Sequence, residues 1–159
     1  MSEFVDEKTE LDAIDPKNIT GSVDEIEIIT RAFNSRILNI INFCKQNNPD
    51  SPEFTTLDNL VRASELADPT TLLVKCKDKM WTSREYIQTR NEKYFLDRDY
   101  NDLIKKDANQ ELIQSLVDLI KSGWKTLDAE EKDVIWQKTR TMLKAVIYFT
   151  KWERASSKQ

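Results

Sequence analysis

Apolar residues recur along this chain at alternating three- and four-residue spacings, the period of a helix that buries one face. The first stripe is Ile26, Phe33, Ile37, Ile40 and Cys44, with Ile29 and Ile41 on its flanks. Just ahead of it, Ser22 and Glu25 form a capping box, in which each side chain satisfies a free amide of the first turn. Asn47-Asn48-Pro49-Asp50-Ser51-Pro52 stops that helix and makes the clearest loop in the body. A shorter helix from about Thr56 to Ala67 is expected to bury Leu57, Leu60, Val61 and Leu66.

Asp68-Pro69 reads as an N-cap with proline in the first turn, and Leu72, Leu73, Cys76 and Met80 give the next inward face. Thr82 with Glu85 marks either a second capped start, leading to Ile87, Asn91, Tyr94 and Phe95, or a bent continuation. Asp107 with Gln110 precedes Leu112, Ile113, Leu116, Leu119 and Ile120, after which Gly123 occupies the place of a left-handed C-terminal residue. Asp128 with Glu131 opens the last helix, lined by Val134, Ile135, Met142, Val146 and Phe149 and ending near Trp152. Its first turn is acidic and its last basic, as the helix dipole prefers. No strand alternation is present. The pattern predicts an all-α protein, a single compact bundle of six or seven helices over residues 22–155.

Charge divides the chain unevenly. The formal net charge is −4, and residues 1–21 account for all of it, with six acids against Lys8 and Lys17. That segment holds few apolar residues, a Pro16 and a Gly21, and reads as a disordered acidic N-terminal arm. Residues 156–159 read as a disordered C-terminus. From Trp136 onward six basic residues face only Glu153, so the chain's end is locally positive.

Composition removes most enzyme classes. There is no histidine, the commonest catalytic base and metal ligand near neutral pH, and there are only two glycines. Serine or cysteine triads, Glu-x-x-His di-iron sites and glycine-rich phosphate loops are thereby excluded. Within Tyr94–Asp102, Asp97, Asp99 and Asn101 match the first, third and fifth positions of a calcium loop. Asp102 and Ala108 stand where that loop needs glycine and glutamate, so it is broken. The same stretch also suggests an aspartate-nucleophile phosphatase, which needs a parallel sheet that the pattern does not supply. No cofactor is expected. Cys44 and Cys76 lack metal-type spacing and read as reduced thiols, with a disulfide between them left open. No stretch is long and apolar enough to span a membrane and no secretory signal is visible, so an intracellular protein is expected and Asn18-Ile19-Thr20 reads as a chance sequon.

Catalysis by carboxylates alone, as in glycosidases, stays open as a third reading, since 28 acids offer many pairs. None is marked by an apolar neighbourhood in the sequence, and binding is the leading class. Trp81, Trp124, Trp136 and Trp152 suit a core, and one or two of them suit a partner anchor. Trp136, Tyr148, Phe149 and Trp152 interleave with Lys138, Arg140, Lys144, Lys151 and Arg154, the ingredients of base stacking and phosphate contact. Against that stands a body of zero net charge, a poor footprint for nucleic acid. The leading expectation is a non-enzymatic protein-interaction or structural protein; the alternative is a nucleic-acid-associated module using the C-terminal helix. Either way the candidate partner-binding residues are Trp136, Lys144, Lys151, Trp152 and Arg154.

Trp124-x-x-Leu127, Glu131-Lys132, Ile135-Trp136, Met142-Leu143 and Tyr148, with Tyr94-Phe95 before them, form a recognisable order. Loosely over residues 23–150, the chain resembles small helical proteins of nucleocytoplasmic large DNA viruses. The resemblance implies a viral protein of the cytoplasm, viral factory or virion, with a structural or host-interaction role. It carries no functional residues, because that group has no settled activity.

Overall fold

The computed structural model describes residues 7–100 and 110–158, and of Ile113 the backbone alone. Seven α-helices follow one short 3-10 turn, Glu10–Ala13, and no strand occurs among the described residues. We number them α1 (Val23–Asn47), α2 (Pro52–Ala67), α3 (Thr71–Thr82), α4 (Arg84–Gln88), α5 (Glu92–Asp97), α6 (Gln110–Trp124) and α7 (Ala129–Ser156). The all-α bundle expected from the hydrophobic period is what the chain forms.

Its axis is the pairing of α1 with α7, which share the largest interface in the molecule. Ile29, Ala32 and Phe33 of α1 meet Ala145, Val146 and Phe149 of α7, with Leu73 of α3 closing the side. Val146 is 1% exposed, and Val146→Ala removes two methyl groups from a close-packed site. A loss of about 2 kcal/mol in denaturant unfolding is expected from the lost burial and the cavity left behind.

Two of the four capping boxes read from the sequence form as predicted. Ser22 Oγ accepts from Glu25 N at 3.2 Å, while Glu25 Oε1 accepts from Ser22 N at 2.8 Å. Asp128 and Glu131 repeat the exchange at the start of α7. The Thr82–Glu85 box does not form. Thr82 Oγ1 donates back to Asp78 O at 2.9 Å, and the chain bends through Ser83 into the five-residue α4. Arg90, left-handed at φ 53°, ends α4, and its guanidinium reaches Asp133 of α7.

Several boundaries shift. α2 starts at Pro52, its first helical residue, four positions before the expected Thr56, and this places Phe54 in the core at 1% exposure. Leu66, an expected core residue, is 90% exposed, and Leu60 also faces solvent. α3 begins at Thr71; Asp68 makes a turn instead, accepting from Thr70 N, and Asn34 of α1 holds that turn by donating to Pro69 O at 2.9 Å. Gly123 is helical within the last turn of α6 and adopts no positive φ. α7 runs four residues past Trp152 and ends in turn hydrogen bonds from Ser157 and Lys158, where a disordered end from 156 was expected. Asp107 of the expected third box lies outside the described residues, as do Asn101, Asp102 and Ala108 of the calcium-like stretch.

The largest correction concerns the acidic arm. Residues 7–21 form a strap packed along the α1–α7 seam. Leu11 is 0% exposed and Ile14 8%, both inside the main core. Thr9 and Asp12 build a capping box for the 3-10 turn between them. The acids of the strap meet cations of the body: Glu7 accepts from Arg36 at 2.9 Å and from Lys138 at 2.8 Å, and Glu10 accepts from Arg36 at 2.6 Å. Acidity read as a sign of disorder is thus the docking surface itself.

Candidate apolar groove

Near the capped start of α7, Trp136 meets Trp124 of α6 edge-on and with Ile135 forms one wall of a surface groove. The other walls come from the last turns of α1, through Ile40 and Cys44, and from α5, through Phe95 and Leu96. Tyr100 closes one end, while Val117, Ile120 and Trp124 of α6 form the opposite side. The cavity measures about 330 Å³ and is lined almost wholly by apolar atoms. That volume sits at the lower end of the range of ligand sites.

Its floor is aromatic. Trp124 meets Trp136 edge-on with ring centroids 5.7 Å apart, and Phe95 tilts against Trp136 at 6.0 Å. Tyr94 contacts Phe95 edge-on at 5.0 Å and stacks on Tyr86 at 3.7 Å, so rings run continuously from the groove to the surface. Edge-to-face pairs of this kind add about 0.5–1.5 kcal/mol each beyond simple burial, which makes the floor rigid.

The few polar groups at the rim are already engaged. Glu92 accepts from the Trp124 indole N–H at 2.5 Å and from Lys132 Nζ at 3.3 Å. The Trp124 bond, reinforced by Lys132 and outweighing burial, holds the Glu92 carboxyl below its ordinary value. Lys121 Nζ donates to Arg98 O at 2.9 Å and lies over the Tyr100 ring, whose hydroxyl donates to Phe95 O. Burial pushes the Cys44 thiol up to about 11, which keeps it protonated and unreactive near neutral pH. Cys76 is raised in the same way, and both cysteines are free. The groove can therefore offer an apolar shape, and its described lining residues present no activated acid, base or nucleophile.

The five residues singled out by sequence are spread along α7 and do not form one site. Trp136 is in the groove floor at 9% exposure. Trp152 lies sixteen positions on, roughly 24 Å along the helix axis, with its N–H donating to Ser22 O at 2.7 Å and its ring stacked on Phe149. Lys151 and Arg154 are exposed beside it, whereas Lys144 sits two turns earlier, 3.9 Å from Asp12. Trp136 is buried, and one face of the Trp152 ring is covered by Phe149. The groove residues from α5 and α6 carry no sequence signal of a site: Phe95, Val117 and Ile120 are ordinary positions on helical stripes.

No group of three metal-ligating side chains gathers among the described residues, and no helix there is long and apolar enough to cross a membrane. Comparison with protein-family models, curated proteins and solved structures finds no match to this chain.

Proposed function

We propose that this protein acts by binding, without chemistry of its own, and that the aromatic groove receives apolar side chains from a helical segment of a partner protein. The observation that carries this reading is the chemistry of the groove wall. A small-molecule site orients its ligand with a few unengaged polar groups; here Glu92 and Lys121 are spent on Trp124, Lys132 and the Arg98 carbonyl. What is left is desolvation and shape, which suit side chains whose own backbone is satisfied within a helix. The mouth continues the apolar surface outward, since Ile120 is 47% exposed. A partner helix laid across α6 would cover Ile120 and seat its anchors on Trp124 and Trp136, the residue types that dominate interface energetics.

A displayed library of helical peptides, selected on the full chain and counter-selected on Ile120→Glu, tests this. Enriched peptides should carry apolar residues at i, i+3 or i+4 and i+7, shift the tryptophan fluorescence, and bind Ile120→Glu at least about tenfold more weakly. Ile120 is half exposed, so that variant should keep the helical content of the parent. Selection that yields no peptide able to distinguish the two proteins would sink the reading.

A further inference from the structure

At the far end of α7 the strap and the helix terminus enclose a second, shallower hollow of about 440 Å³, lined by Pro16, Lys17, Ile19, Lys151, Arg154 and Lys158 among others. We infer that this hollow is a binding site for a compact anion carrying two or more closely spaced phosphates, and the inference stands independently of the groove. Lys17 stands on the strap side, while Lys151, Arg154 and Lys158 follow one another at three- and four-residue steps along one face of α7 and its closing turn. Cations therefore approach the hollow from two separate segments.

Several basic residues elsewhere in the molecule are neutralised: Arg36 by Glu7 and Glu10, Lys138 by Glu7, and Lys77 by Glu153. Others, such as Arg31 and Lys75, stand singly on the surface. None of the four around the hollow ion-pairs with a carboxylate among the described residues, and Lys151 Nζ donates only to the Pro16 carbonyl, at 3.3 Å. Gathering four unneutralised cations costs mutual repulsion, which an anion in their midst would reverse.

The surroundings decide the size of the ligand. One direction along α7 leads to Asp12, beside Lys144, while Glu153 is turned to Lys77 of α3. Asp15 precedes Pro16 on the strap, with its carboxylate turned to the Lys17 and Asn18 amides. A long polyanion would run onto these carboxylates, while a compact one would sit among the four cations, with the nearby Glu25 carboxylate turned to the Thr20 and Gly21 amides. Residues 22–159 have no net charge, so no extended positive field draws in a duplex. Trp152 is held by its bond to Ser22 and has one face stacked on Phe149, which leaves little of the ring for base stacking.

Calorimetric titration of the full chain with inorganic tripolyphosphate at low salt tests the site. Wild-type protein should bind, with affinity falling as salt rises, and the Lys17→Gln, Lys151→Gln, Arg154→Gln, Lys158→Gln variant should bind at least about tenfold more weakly. All four side chains are exposed, and the melting temperature of the variant reports that the fold is kept. Lys144→Gln should leave binding unchanged. Vesicles containing a bisphosphorylated inositol lipid, compared with phosphatidylserine vesicles of equal charge, identify the source: selective capture assigns a headgroup, and its absence beside tripolyphosphate binding assigns a free phosphate compound. Failure of wild-type protein to bind tripolyphosphate overturns the inference. So does equal binding by the fourfold variant, an equal loss in Lys144→Gln, or tighter binding of duplex DNA than of tripolyphosphate.

Discussion

Leu11→Ala is expected to lower the melting temperature by about 10 °C, although its position lies in the most acidic and least patterned part of the chain. Leu11 is 0% exposed, packed with Ile29, Phe33 and Val146 under the strap. Truncating a buried leucine to alanine costs about 2–5 kcal/mol, and each kcal/mol moves the midpoint of a domain this size by about 2–4 °C. A disordered tail would show no change, so thermal unfolding followed by circular dichroism separates the two cases. Removing residues 1–21 altogether should act in the same direction. The loss is then moderated, because the truncated chain no longer orders the strap on folding.

The strap also confers a pH dependence whose sign is fixed by Glu7. Burial alone would raise that carboxyl, but hydrogen bonds from Lys138, Arg36 and Thr141 together outweigh it and hold the group below its ordinary value of 4.5. A depressed carboxyl contributes stability that is full above its unfolded value and is lost as pH falls through the folded one. Stability is therefore expected to drop below about pH 4.5, and Glu7→Gln should be less stable at neutral pH with a flatter acid limb. An unchanged acid limb in that variant would place the strap's anchor elsewhere.

How far the chain could be read follows from the range of each signal. The α1 stripe and the Ser22–Glu25 and Asp128–Glu131 boxes are local, each complete within one or two turns, and they form as predicted. Phe54 was hidden because Pro49 and Pro52 together read as loop, although proline at the first helical position starts a helix as readily as it ends one. The strap was hidden for a different reason. Leu11 and Ile14 are only two apolar residues in an acidic stretch, and their burial depends on Arg36 and Lys138, which lie on separate helices. Long-range charge complementarity leaves no period to detect. The groove is equally non-local, since its walls come from four helices and each contributes residues indistinguishable from core. Trp136 was legible as an anchor, but the sequence could not show that it and Trp152 face different neighbours sixteen positions apart.

The two glycines respond in opposite directions to an added side chain, and the contrast tests the strap's second anchor. Gly21 has φ +84°, and a Cβ built on it would lie 2.6 Å from Ser156 N and 2.7 Å from Ser156 Cα. Those atoms are backbone at the end of α7, so no side chain can swing away to make room. Gly21→Val adds a left-handed penalty of about 1–2 kcal/mol to an overpacking cost of about 1–3 kcal/mol. A total loss of about 2–5 kcal/mol is expected in chemical unfolding. Gly123 has nothing within 4 Å of its notional Cβ and sits in helical geometry near the end of α6. Gly123→Ala should be neutral or stabilising by up to about 1 kcal/mol, because alanine loses less backbone freedom on entering a helix. Read from sequence as a left-handed terminator, Gly123 would instead be harmed by the same change. The strap's close approach to α7 at Gly21 is also what brings Lys17 to the side of Lys151 and Arg154. Gly21→Val should therefore weaken tripolyphosphate binding while leaving peptide binding at the Trp124–Trp136 groove intact; a variant that lost both would show the two ends of α7 to be coupled through the core.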